Sequence, residues 1–254
     1  MLKNKYYWFE SIISADTCQK IIDLGLSKIE DNIKKNISVE ATTFGDKHKD
    51  KNPNALPLNE KTLQQLKKEG EDNKKFYIRD SQVAWLYDDW LYDLIMPIVR
   101  KANLLAGWNF QFEGAENFQF TVYNSPGGFY GWHTDGDMDI HAAYKRFIYG
   151  VTDNKYISTD GNLLFPYKQD DFLIGKVRKI SLTINLNKPG EYEGGNLMFD
   201  FGTHSETEQF IECTEIRPQG SLIAFPSFIP HCVTPVTKGK RYSLVLWVLG
   251  DPFK

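Results

Sequence analysis

Beyond residue 108 the hydrophobic pattern changes to a period of two, and this limits the architecture more than any other feature of the chain. NFQFTVYN, KISLTINLN, NLMFDFG, QFIECTEI, GSLIAF, HCVTPV and RYSLVLWVLG alternate or run apolar over strand lengths. Gly and Pro punctuate them at Ser125-Pro-Gly-Gly128, Gly194-Gly195, Pro218-Gln-Gly220 and Lys238-Gly239. Many short strands joined by such turns predict a sandwich or jelly roll. Aromatic residues at 14% suit a pleated face, and 254 residues fit one domain of this kind.

The N-terminal part reads differently. Residues 5–9 predict a short strand. Ser14 then caps a helix that places Cys18, Ile21, Ile22 and Leu26 on one face. Residues 45–74, polar and lysine-rich, read as an irregular surface segment with a helical turn around Leu63 and Leu66. A second helix is expected from Asp88 or Asp89 to about Leu105, with Pro97 kinking it or ending its first half. The expected organisation is a single domain, 1–254. Residues 1–107 form a helical and irregular support. Residues 108–250 form a mainly β core interrupted by a long loop at 136–176.

Composition excludes several function classes. The formal net charge is -3, and the lysine runs are interleaved with acids, so no basic track for nucleic acid is expected. No apolar run reaches the roughly 18 residues of a membrane span. The first residues carry no signal-peptide pattern, so a cytoplasmic protein is expected. Cys18, Cys213 and Cys232 are too few and too scattered for a disulfide framework or a zinc ribbon. Oligomeric state is left open.

The chemistry concentrates in Tyr130-Gly-Trp-His-Thr-Asp135. In a strand, residues i and i+2 share a face, so His133 and Asp135 point together. A His-x-Asp pair also arises by chance, and a surface pair at a strand end is the plain alternative. His48 lies in a solvated stretch, His141 in the long loop and His204 in a turn. His231, after GSLIAFPSFIP, opens a buried-looking strand; it is either a third ligand or a core histidine. Two histidines and a carboxylate form the facial triad of non-haem iron(II) oxygenases, leaving half an octahedron open. A bidentate 2-oxo acid and dioxygen can fill those positions, which a closed four-ligand site would forbid. Arg241, ten residues after His231 and across the Lys238-Gly239 turn, has the forked geometry to hold a distal carboxylate.

With these residues in place, the chain resembles the 2-oxoglutarate/Fe(II) dioxygenase superfamily, in its prolyl 4-hydroxylase-like branch of phage and bacterial type. The resemblance rests on FQFTVYNSPGGFYGWHTDGD, SLTINLNKPGEYEGGNLMFDFG and GSLIAFPSFIPHCVTPVTKGKRYSLVLWVLG, and covers residues 117–249 apart from the long loop. It implies a double-stranded β-helix (jelly-roll) core with iron at one open end, held by His133, Asp135 and His231. It further implies that Arg241, Tyr123 and Ser243 contact the co-substrate and that Tyr130 and Trp247 line the substrate pocket. Core packing is the alternative for the aromatic residues.

The implied cofactor and co-substrates are Fe(II), 2-oxoglutarate and O2, and the resemblance admits ascorbate. The implied reaction hydroxylates a carbon centre, with release of succinate and CO2. A prolyl residue of a peptide or protein is the expected substrate, and a free amino acid or other small molecule the alternative. Arg241 stands where collagen-type enzymes often have lysine, which weakens any collagen-specific expectation. A non-catalytic metal-binding jelly-roll module and a nucleic-acid demethylase are the competing readings; the first has no use for Arg241 and the second is at odds with the near-neutral charge.

Overall fold

The computed structural model describes residues 2–41, 79–135, 176–202 and 210–253. The expected segment 45–74, all but the last residue of the 136–176 loop, and His48, His141 and His204 lie outside these residues.

The described strands form two antiparallel sheets. The larger has the order β1 (Tyr7–Phe9), β11 (Leu222–Pro226), β7 (Val177–Asn185), β13 (Val236–Gly250), β5 (Phe118–Asn124) and β3 (Gln82–Leu86). The short β4 (Gly114–Ala115) and β8 (Tyr192–Gly194) also pair with β13. The smaller sheet runs β10 (Phe210–Glu212), β9 (Leu197–Asp200), β12 (His231–Val233), β6 (Phe129–His133) and β2 (Arg79–Asp80). This is the mainly β jelly roll that the period-two segments predict, in the double-stranded β-helix form that the resemblance implies.

The larger sheet has two unlike faces, because successive residues of a strand point to opposite sides. Phe118, Phe120, Val122, Ile180, Leu182, Ile184, Leu244, Leu246 and Val248 form one core cluster with the helices. Helix α1 (Ala15–Lys34) contributes Cys18, Ile21, Ile22 and Ile29, with Leu26 partly buried against them. Helix α2 (Asp89–Leu105) contributes Leu91, Ile95, Val99 and Ala102, a stripe at helical spacing. The alternate residues Gln119, Thr121, Ser181, Thr183, Arg241 and Ser243 are also buried, and they face the smaller sheet. A sheet that turns an apolar face to its helices and a polar one inward encloses a site.

Local chemistry accounts for the elements. The Ser14 hydroxyl accepts from the Thr17 N–H at 3.2 Å, capping α1 as expected. Helix α2 does not end at Pro97. Pro97 and Asp93, whose carbonyl loses its partner, are both exposed, so water can take the vacated bond. Lys238-Gly239 is not a turn but lies inside the fifteen-residue β13, with Gly239 at φ +73°. QFIECTEI is a strand only to Glu212 and continues as a 3-10 turn, Thr214–Ile216. The N-terminal third is more than a support, since β1, β2 and β3 lie at edges of the two sheets. Among the described residues, no helix is long and apolar enough to cross a membrane, and Cys18, Cys213 and Cys232 are buried.

Candidate active site

His133 ends β6, His231 begins β12, and the two are direct cross-strand partners. Such partners lie only about 5 Å apart at Cβ, so strand pairing alone brings together histidines distant in sequence. Their ring centroids are 4.2 Å apart. Asp135 is not in the strand, contrary to the period-two expectation. The strand stops at His133, and the Asp135 N–H donates to the Ser227 carbonyl at 2.9 Å, in the β11–β12 turn. That tie, with a hydrogen bond between the Ser181 side chain and the carboxylate, aims the Asp135 side chain at the histidines.

The three side chains converge without bonding one another. His133 Nε2 lies 3.7 Å from one Asp135 oxygen and His231 Nε2 3.5 Å from the other. Both distances exceed the roughly 2.7–3.2 Å of an N–H···O hydrogen bond. Each Nδ1 meets a carbonyl two residues back, Gly131 at 2.8 Å and Ile229 at 3.0 Å. These bonds assign the proton to Nδ1 and leave the Nε2 lone pair toward the carboxylate, as a metal ligand requires. Among the described residues this is the one His/Cys/Asp/Glu group able to hold a metal, with its ligand atoms within 4.8 Å of one another.

Electrostatics agree with that role. Burial, and then the neighbouring His231, lower the His133 ring from 6.5 to about 3 against the opposing pull of Asp135, so it is neutral. Burial alone would raise the Asp135 carboxyl. His231, His133, Arg178 and the Ser181 hydrogen bond outweigh it and hold the carboxyl at about 2. The Tyr130 ring stacks on His133 at 3.5 Å between centroids, and burial pushes its phenol up to about 12.

Arg241 and Tyr123 are direct partners across β13 and β5, and Ser243 pairs with Thr121. Arg241 is 1% exposed. Its guanidinium lies 5.3 Å from the Tyr123 ring and donates to the Ser243 hydroxyl at 3.3 Å, while Nε has no partner among the described residues. No described carboxylate forms an ion pair with it. A buried cation without a counter-ion is unfavourable, so this one is built to receive an anion. Gly195 makes room for it: a Cβ there would stand 2.9 Å from Arg241 Cδ, and the backbone has φ +59°. Trp247 is buried, and its Nε1 has no partner among the described residues.

Sequence reasoning missed Arg178, Glu116, Arg79 and Ser181. Arg178 forms a two-point ion pair with Glu116 at 2.5 and 2.7 Å, and its guanidinium lies 4.1 Å over Trp247. Among neighbouring charges in KVRK it reads as surface. Two residues of β7 there answer one of β13, so the alternation slips and Arg178 faces the site. Arg79 lies 4.5 Å over Tyr130 and donates to Ser81 and Gln119 at 2.8 and 2.7 Å. It sits at the margin of a polar stretch and carried no signal.

A profile described as 2OG-Fe(II) oxygenase superfamily matches residues 118–249, the span that holds every one of these residues except Arg79, Ser81 and Glu116. The chain belongs to this superfamily. Family membership carries Fe(II), 2-oxoglutarate and O2, and a His-Asp-His site fits them. Among curated relatives, a PKHD-type hydroxylase of Synechococcus sp. (strain CC9605) is 39% identical over 71 residues, 28% of this chain and 29% of that one. The matched part thus spans under a third of that relative's length. The fold resembles the viral collagen prolyl hydroxylase of Paramecium bursaria Chlorella virus-1, with TM-score 0.53, 17% identity and 97% of each chain covered. It also resembles a Pseudomonas putida prolyl-4-hydroxylase, with TM-score 0.52, 17% identity, and 98% and 94% covered.

Proposed function

We propose that this protein is a 2-oxoglutarate-dependent hydroxylase acting on a prolyl residue of a peptide or protein. The observation that carries the reading is the pairing of the His133-Asp135-His231 cluster with a buried Arg241 that has no carboxylate partner among the described residues. A metal that only stapled the fold would leave that guanidinium without a role. His133, Asp135 and His231 would hold Fe(II). When bound, the iron supplies O2-dependent oxidation that couples decarboxylation of 2-oxoglutarate to hydroxylation of carbon.

The chain's own part is orientation and exclusion of water. Arg241, steadied by Ser243, holds the far carboxylate of the co-substrate, and Tyr123 flanks it. The Nδ1 bonds and the stacked Tyr130 keep both rings aimed. Trp247 offers an unspent donor to a peptide carbonyl, and Arg178 braces its ring. The prolyl substrate is favoured by the prolyl hydroxylases that share the fold, one of them a Trichoplax adhaerens enzyme in complex with a peptide fragment. Three scattered cysteines suit a reducing, cytoplasmic setting.

The test is incubation with Fe(II), 2-oxoglutarate, ascorbate and a proline-rich peptide, followed by succinate assay and peptide mass. Expected are succinate and a peptide heavier by one oxygen atom, both abolished in His133→Ala. Full turnover by His133→Ala with iron still bound would overturn the assignment.

A further inference from the structure

We propose that the Tyr192 hydroxyl is a second ligand for the far carboxylate of the co-substrate, acting beside Arg241. The inference rests on the co-substrate reading above and extends it to a residue outside the family pattern read from the sequence. Tyr192 is 8% exposed, and its hydroxyl has no hydrogen-bond partner among the described residues. Buried phenols almost always find one, so a bare hydroxyl needs a reason.

Its placement supplies the reason. Tyr192 lies on β8 opposite Gly239 of β13, the strand that carries Arg241. The Cβ position of Gly195 is 2.9 Å from Arg241 Cδ and 3.4 Å from Tyr192 Cε2, so the two side chains flank one spot. The Tyr192 ring clusters with Tyr123, Val233 and Val236. It is therefore on the same inward side as the tyrosine that faces Arg241. Arg217 lies 5.1 Å over the ring and donates to the Gly194 carbonyl at 3.0 Å, which secures the ring and the turn behind it.

Arg241 Nε and Tyr192 O–H are thus two buried donors without a partner among the described residues, on side chains that both approach the Gly195 position. A carboxylate offers four lone-pair sites, more than one guanidinium edge can fill, and a neutral phenol adds a donor without adding charge. The glycine pair would then serve two side chains. Its left-handed turn, with Gly194 at φ +71° and Gly195 at φ +59°, lets Arg241 and Tyr192 approach the same anion.

The experiment titrates Fe(II)-loaded protein anaerobically with 2-oxoglutarate. The visible absorption that a 2-oxo acid gains on chelating ferrous iron reports binding. The comparison ligand is 2-oxobutyrate, which has the same chelating end and no far carboxylate. Tyr192→Phe keeps the ring, and Arg241→Met is the reference variant. Expected is a rise of about tenfold in the 2-oxoglutarate Kd of Tyr192→Phe, with 2-oxobutyrate binding unchanged within about twofold.

If Arg241→Met loses 2-oxoglutarate while Tyr192→Phe binds it normally, the Tyr192 assignment is wrong and the co-substrate reading stands. Equal weakening toward both acids would also overturn the assignment, since the hydroxyl would not be acting at the far carboxylate. Absence of 2-oxoglutarate binding in the unsubstituted protein would remove the co-substrate reading and this assignment together.

Discussion

Arg241→Met separates a binding role from a structural one, because two readouts should move in opposite directions. Among the described residues the guanidinium has one long hydrogen bond, to Ser243 at 3.3 Å, and lies 5.3 Å from the Tyr123 ring. Losing both costs about 1–2 kcal/mol. Against this, a buried ion without a counter-ion carries a penalty of several kcal/mol, which methionine does not. The balance favours the variant by about 1–3 kcal/mol, or roughly 2–12 °C in Tm for a chain of this size. Co-substrate binding goes the other way. Removing one side of a buried, charge-assisted contact costs about 2–5 kcal/mol, equivalent to about a 30- to 4,000-fold rise in Kd. Melting of the metal-free protein and anaerobic 2-oxoglutarate titration of the Fe(II)-loaded protein measure the two effects. A variant that melts several degrees lower yet binds 2-oxoglutarate normally would refute the reasoning and make Arg241 a structural cation.

Ser181→Ala removes a hydroxyl that bonds the Asp135 carboxylate and lies 2.9 Å from Ser227 Oγ; Fe(II) affinity should fall about 10- to 100-fold in a competition titration, with Tm little changed. Gly25→Ala drives a Cβ into the Phe120 ring beneath α1; despite the better helix propensity, urea melts should show a net loss of about 1–2 kcal/mol. The His133 ring is neutral in the folded protein down to about 3 and charges near 6.5 when unfolded. The unfolded chain therefore binds the extra proton between these values, and stability present above about pH 6.5 is lost as pH falls. Metal-free protein should lose up to about 1.4 kcal/mol per pH unit on that account between pH 6 and 4, and His133→Gln should lose less, as read from urea melts across that range.

The fold was readable where one physical rule acts alone. Alternation announces β5, β7, β11 and the second half of β13, whose two faces are both buried yet chemically distinct. Helical spacing announces α1 and α2. The rule failed where tertiary context overrides it. β3 is five residues of QVAWL with no turn signal to frame it, and its pairing with β5, with a bridge to Glu40 on the other side, makes it a strand. At the site, the ligand trio was readable because three residue types in one chemistry are a strong constraint. Arg178 was not, because a one-residue slip in register decides which way it points. Tyr192 was not, because an unmet hydroxyl exists only in three dimensions.

Strand β13 has one more implication. From Arg241 to Val248 its odd-numbered residues, Arg241, Ser243, Val245 and Trp247, address the chamber, and its even-numbered residues, Tyr242, Leu244, Leu246 and Val248, anchor the sheet to the helices. Two interleaved messages are written on one ribbon, one for the chamber and one for the helices. A library that randomises Val245 and Trp247 and keeps Arg241 and Ser243 would search for new specificities while leaving the co-substrate anchor and the helix-facing side in place.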